Sequence, residues 1–548
     1  MPRPNFFPRR FFGEDRNIRA TPTQQNEILE VKVDLLNGGL RTDVDFTLIE
    51  NNQFWDISNC WLDRDRLRAP AGISTNFTWG NATPIVASRI LGLQSLIRSS
   101  GQIECLRFTK SSVHKIAGAT WTPLTGPALV GGDYDRFQVI FARDGSGDKI
   151  FFNNNGANVL MTVDFAANTY AATGNARRYK YYTVFANRII GANLLSGTPD
   201  PTEIAGSGNL NFSQWDPLID PSSFINKLIV GTRHGVDEIT GLKTVGENLI
   251  LFRRNTIWVG TAQPIASNPI AWNRAKSDLG CDIPDSIQVC EDNIVIWADL
   301  GLRSVFLWKV GAGDPQSISV PIDQDLFARI SEAKNVFSLY NPDKKFYRLF
   351  IEDTVSGRTL VYTYHLPSNS WWKEVRDRIC FAASVLFPTN SVTWDSAAGS
   401  WDSAVGTWDS YNQVTLVPYE IFGNSSGLLY RVLYDRVHPS QLLPNEGFSF
   451  ATKAFSFKTH DIHLLQFELD VQVFGTATPV VSIAVNSTKF GLSKYVKSVS
   501  ADPTQIGVQT LKVPKNIVSR GLYFLISANP GVQILGYRAK FVRGGVIR

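Results

Sequence analysis

Between Gly246 and Val310 the hydrophobic and polar positions run through one pattern twice. Glu247-Asn248-Leu249-Ile250-Leu251-Phe252 is followed, across the polar residues 253–255, by Thr256-Ile257-Trp258-Val259. Asp292-Asn293-Ile294-Val295-Ile296-Trp297 is followed, across residues 298–303, by Ser304-Val305-Phe306-Leu307-Trp308. β-Branched and aromatic runs around a short polar turn predict antiparallel hairpins, not helices. Both faces of these runs are apolar, so each hairpin is expected to be covered on both sides by neighbouring sheets. A third copy, Asn187-Arg188-Ile189-Ile190, places the similar asparagines (187, 248, 293) about 45 to 60 residues apart, the repeat length of a propeller blade with insertions.

The same reading extends in both directions. Strands are predicted at 104–108, 112–116, 137–142, 149–153 and 182–191, then at 346–351, 359–365 and 371–375, with a last hairpin at 419–422 and 428–433, for roughly six or seven blades. One short helix is expected over 323–333. Residues 33–72 read as extended chain entering a sheet. After Pro439–Gly447, strands at 464–474, 479–485, 510–513, 522–527 and 534–542 predict a separate β-sandwich. The expected fold is therefore all-β, with a docking arm (1–32), a β-propeller (33–440) and a C-terminal sandwich-like domain (441–548).

Two stretches stand apart. Prolines at 2, 4 and 8 keep the N-terminus out of helix, and Phe6, Phe7, Phe11 and Phe12 alternate with Arg9 and Arg10. That composition fits a segment that orders on a partner, or a tail that is disordered or packs on its own domain. Trp394-Asp395-Ser396, Trp401-Asp402-Ser403 and Trp408-Asp409-Ser410 repeat every seven residues, but Gly399 and Gly406 oppose a coiled coil. Trp394, Trp401 and Trp408 either form a contact ribbon or stack back on their own blade.

Composition narrows the chemistry. The net charge is +5 over 548 residues, which gives no concentrated basic face for nucleic acid. Five cysteines without a CxxC pair argue against a disulfide framework or a zinc site. No apolar run approaches the roughly 18 residues of a membrane span, and the N-terminus lacks a signal-peptide core, so assembly in the cytoplasm is expected. Gly423-Asn424-Ser425-Ser426-Gly427 matches G-x-S-x-G, yet the strand-like Leu428–Val432 follows where the nucleophile elbow needs a helix. The Asp144–Asp148 turn lacks the further ligands of a calcium loop. His460 and His463 fall on opposite faces of a strand. Gly118-x-Thr120-Trp121 is similar to the Asp-box of sialidases, but Ile116 stands where that motif has Asp. No catalytic residue, metal or cofactor is expected.

Taken together, the order of parts resembles the tail-tube, or nozzle, proteins of short-tailed bacteriophages, also called tail hub or packaged-DNA-stabilisation proteins. The resemblance rests on Gly38-Gly39-Leu40, Asn59–Asp63, Leu67–Gly72, Gly208–Asp216, Glu238–Leu242 with Asn248–Phe252 and Thr256–Trp258, and Gly280–Ser286 with Asn293–Trp297. It spans residues 35–435; the arm and the C-terminal domain fall outside it. It implies a structural role: a homohexameric ring in the virion tail below portal and adaptor, passing viral DNA, with outer surface for fibres or tailspikes. The alternative is a propeller that binds or degrades glycans on a host surface.

Overall fold

The computed structural model describes residues 28–546, apart from 75–86, 389–415, 435–446 and several shorter stretches. Phe6, Phe7, Arg9, Arg10, Phe11 and Phe12 lie outside the described residues, as do Trp394, Trp401 and Trp408.

The described residues form seven four-stranded antiparallel sheets whose first strands face one central cavity, the architecture of a β-propeller. Blades 1 to 6 follow in chain order, beginning with the inner strands Ile90–Ile97, Phe137–Asp144, Tyr179–Phe185, Ile239–Val245, Gln288–Val289 and Val336–Asn341. Blade 7 contains Ile379–Pro388, Leu416–Asn424 and Leu429–Leu433 and takes its outer strand, Gly72–Ser74, from the other end of the chain. The two organising repeats are the central hairpins of blades 4 and 5. Buried apolar side chains fill the spaces between blades; Phe252 against Trp297, with ring centroids 5.2 Å apart, joins these two. Asn187 and Asn293 sit at turns with φ of 58° and 60°, a conformation asparagine tolerates, whereas Asn248 starts a strand.

The helix is shorter than expected, Asp323–Ala328. The G-x-S-x-G match is a hairpin turn in blade 7, closed by Asn424 Oδ1 accepting from the Ser426 and Leu428 amides. The Asp144–Asp148 segment is likewise a hairpin turn.

Two seven-stranded sheets make the second body, and here the expected boundaries change. Ile28–Val33 pairs with Val532–Val546, from Ile28 opposite Val542 to Val33 opposite Tyr537. Trp61–Asp63 and Arg66–Arg68 join the same sheet, while Gly39–Leu40 and Gln53–Ser58 extend the other. Residues 28–68 therefore belong with the C-terminal domain and not with the propeller. The physical reason is edge protection: the C-terminal sheets would otherwise present unpaired backbone, and the N-terminal strands cover it. Phe467 stacks on Phe524 at 4.0 Å inside this body, and one continuous core joins it to blades 5 to 7. Among the described residues, no helix is long and apolar enough to cross a membrane.

Candidate functional site

The cavity on the propeller axis is the most built site. It has a volume of about 540 Å³ and is walled by the inner strands of all seven blades. That volume lies within the range of small-ligand pockets, ~300–1,000 Å³. Neighbouring inner strands are stitched by side chains. Gln138 Oε1 accepts from the Tyr182 amide at 3.2 Å, the Thr183 and Thr244 hydroxyls meet at 3.1 Å, and Gln288 Nε2 donates to the Ser338 carbonyl at 2.9 Å. Ser95 Oγ accepts from the Leu386 amide at 2.8 Å, tying blade 7 to blade 1. Strand alternation turns successive side chains toward the two neighbouring blades, as Tyr182 packs with blade 2 and Tyr181 with blade 4, and the strand edge itself lines the axis.

Charge enters at two places. Arg136 marks one mouth: its guanidinium donates to Asp285 Oδ2 at 2.9 Å, to Glu352 Oε1 at 2.9 Å and to the Lys334 carbonyl at 3.0 Å, and lies 4.6 Å over the Phe337 ring. Arg89 also pairs with Glu352. Lys243 also lines the cavity; burial pulls its pKa below the usual lysine value, and the Asp285 charge works against that pull. Tyr181, 2% exposed, lines the same space, and its hydroxyl has no hydrogen-bond partner.

A larger cleft of about 1310 Å³ separates residues 32–53 from blades 5 and 6. Four of the charged residues lining it are spent on near neighbours, Lys32 on Asp34 at 2.6 Å and Arg41 on Asp43 at 2.9 Å. Among the described residues no group of His, Cys, Asp and Glu could hold a metal ion, and the five cysteines are buried and free.

One carboxylate pair lies close together elsewhere. In blade 5, Asp282 accepts from the Leu300 and Gly301 amides and Asp299 from the Leu302 amide at 2.7 Å. Burial, with Asp282 adding to it, raises Asp299 to about 6. An unfolded aspartate titrates near ~3.9, so the folding advantage of protonated Asp299 is complete below pH ~4 and is lost as pH rises through about 6. Asp299→Asn keeps the acceptor and removes the charge. The variant is expected to be more stable than the native chain at pH 8, by on the order of 2–3 kcal/mol, and equal to it near pH 4. Thermal unfolding at both pH values measures this; an equal difference at both would refute the burial argument.

The residues singled out in the sequence as partner contacts lie outside the described residues. The channel residues Gln94, Gln138, Lys243, Asp285 and Gln288 carry no local signal, because four are ordinary polar positions in their own strands, Asp285 lies in the short turn Pro284–Ser286, and only the closure of seven blades brings them together.

No protein-family model matches the chain, and no curated protein does. Among solved structures, the extracellular domain of BT4673 from B. thetaiotaomicron is 10% identical, with 86% of this chain and 62% of that one covered and a TM-score of 0.37. PorZ, a surface component of the type-IX secretion system of Porphyromonas gingivalis, is 8% identical over 70% of this chain and 44% of its own, with a TM-score of 0.32. An exo-beta-1,3-galactanase from Phanerochaete chrysosporium is 10% identical over 86% and 99%, with a TM-score of 0.26. The chain spans less than two thirds of the length of the first two. At these values the likenesses carry no functional argument, and the chain is placed by its own topology as an all-β propeller protein with a two-sheet body built from both ends of the chain.

Proposed function

We propose that this chain is a non-enzymatic structural subunit of a short phage tail, assembling as a ring, a hexamer, that extends the genome channel below portal and adaptor. The observation that carries the assembly reading is the blade 3 loop, residues 207–223. Trp215 is buried and donates its ring N–H to the Phe212 carbonyl at 3.1 Å, Asp216 accepts from the Leu218 amide, and Asp220 accepts from the Ser222 amide and hydroxyl. A loop so fastened nevertheless presents Leu218, 93% exposed, and Ile219, 69% exposed, side by side. Two bare aliphatic chains on a fixed knob suit insertion into a neighbouring subunit. The loop overlaps Gly208–Asp216, one of the segments that resemble nozzle proteins. The axial cavity is sized for a small ligand. The genome conduit in this reading therefore runs between subunits, and the near-neutral chain would not grip phosphates along it.

The test is electron cryo-microscopy of particles from the source, or of the chain mixed with the products of neighbouring genes. A ring on the portal axis is the expected result, with Leu218→Asp/Ile219→Asp failing to enter it. A chain absent from every particle would end the nozzle reading.

The axial cavity itself favours a second reading, glycan binding. Amides, hydroxyls and aromatic rings share its wall. Asp285 is the only carboxylate among the described lining residues, and it is held by Arg136; glycoside hydrolysis ordinarily uses two, so the reading is binding and not degradation.

A further inference from the structure

Within the axial cavity, the charges and unpaired groups point to one kind of ligand. Arg136, Lys243 and Asp285 are the charged residues of the wall. Arg136 is neutralised by Asp285 and Glu352, and Arg89 shares Glu352, so two guanidinium groups face two carboxylates at the mouth. Their sum is zero, and the charge of Lys243 is left over. Among the described residues Lys243 makes no ion pair, and Thr244 next to it fixes its strand against blade 3.

We infer that the axial cavity is a site for a sugar acid: a small polyhydroxylated molecule with one carboxylate, held by the Lys243 ammonium. One surplus positive charge on the wall matches one negative charge; a phosphate dianion would leave its second charge uncompensated beside Asp285. A lysine also suits a single-point contact, with no guanidinium fork left free for a phosphate. Hydroxyl groups find partners in the glutamine amides of the wall. Gln138 uses its oxygen on the Tyr182 amide and Gln288 its nitrogen on Ser338, which leaves the opposite end of each available. The inference rests on the glycan-binding reading for the cavity being a ligand site, and adds the class of ligand and the residue that selects it.

The test is titration calorimetry of the full chain with D-glucuronate and with D-glucose, at neutral pH. Glucuronate is expected to bind about tenfold or more tightly than glucose, and Lys243→Met to abolish that preference. Asp285→Asn, which removes the internal counter-charge, is expected to tighten glucuronate binding, and serves if the Met variant does not fold. Equal binding of the two sugars by the native chain would overturn the sugar-acid inference and leave glycan binding standing. Binding of neither would overturn both.

Discussion

Glu420→Gln is expected to cost about 3–5 kcal/mol of stability, the range for stripping one partner from a buried ion pair. Arg348 sits on the second strand of blade 6, 1% exposed, among Tyr347, Leu349 and Phe350. Its guanidinium donates to Glu420 of blade 7 at 2.8 Å and lies 3.3 Å from Glu374. Glu374 in turn accepts from Arg376 at 2.9 Å, and Arg376 donates to the Ala71 carbonyl at 2.9 Å, beside the closing strand of blade 7. Tyr434 and Asn341 donate to the other oxygen of Glu420. The guanidinium also lies 5.2 Å over the ring of Trp61, which belongs to the two-sheet body. Burial alone would weaken the charge of Arg348, but Glu420, with Tyr434 and Glu374, holds its pKa above the usual arginine value. The network thus fastens blade 6, blade 7 and the second body at one point.

Gln at 420 fits the space but carries no charge, so the guanidinium keeps its desolvation cost and loses its main counter-ion. Chemical denaturation followed by Trp fluorescence measures the loss. The double variant Arg348→Met/Glu420→Gln is expected to recover part of it, since no unpaired charge then remains. Lys512→Ala is the comparison: Lys512 is 66% exposed where it meets Glu468, and its loss is expected to cost under ~1 kcal/mol. A Glu420→Gln variant within 1 kcal/mol of the native chain would show that the network is not a fastening.

The blades were legible because their central strands are runs such as Leu249-Ile250-Leu251-Phe252, which only a sheet covered on both faces can bury. The inner strand Ile90–Ile97 was not, since Gly92 and the polar Gln94 and Ser95 interrupt it. Gly92 is needed there: a Cβ would come within 2.9 Å of Phe137 on blade 2. The two-sheet body was half legible. Val532–Val546 reads as strand by itself, but its pairing with Ile28–Val33 joins residues some five hundred positions apart and leaves no local trace. Arg348 and Glu420 did leave one, each a charge set between apolar neighbours: Tyr347 and Leu349 for Arg348, Tyr419 and Ile421 for Glu420. Charges in that position are costly unless paired, and that cost is the signal to search for a partner. Lys243 has the weaker form of the same signal, in Gly241-Leu242-Lys243.

Removing residues 1–74 is expected to abolish the folded state, and removing residues 1–35 to weaken it. The longer deletion takes away Gly72–Ser74, and blade 7 then ends at Leu429–Leu433 with an open edge where the propeller should close. It also takes every N-terminal strand of the two sheets. Leu36, Leu40, Phe54, Ile57, Trp61 and Leu67 leave the shared core with it. At roughly 1.5–3 kcal/mol for each fully buried chain, these six side chains alone match the ~5–15 kcal/mol that holds an ordinary domain together. Of the described strands the shorter deletion removes one, the edge strand Ile28–Val33, and the sheet retains Val532–Val546 against His460–Val473. Circular dichroism and thermal unfolding of both truncated chains separate the cases: the shorter is expected to keep a cooperative transition at lower temperature, the longer to show none. If the longer truncation melts like the native chain, closure from the N-terminal side is dispensable, and the blades stand by their own contacts.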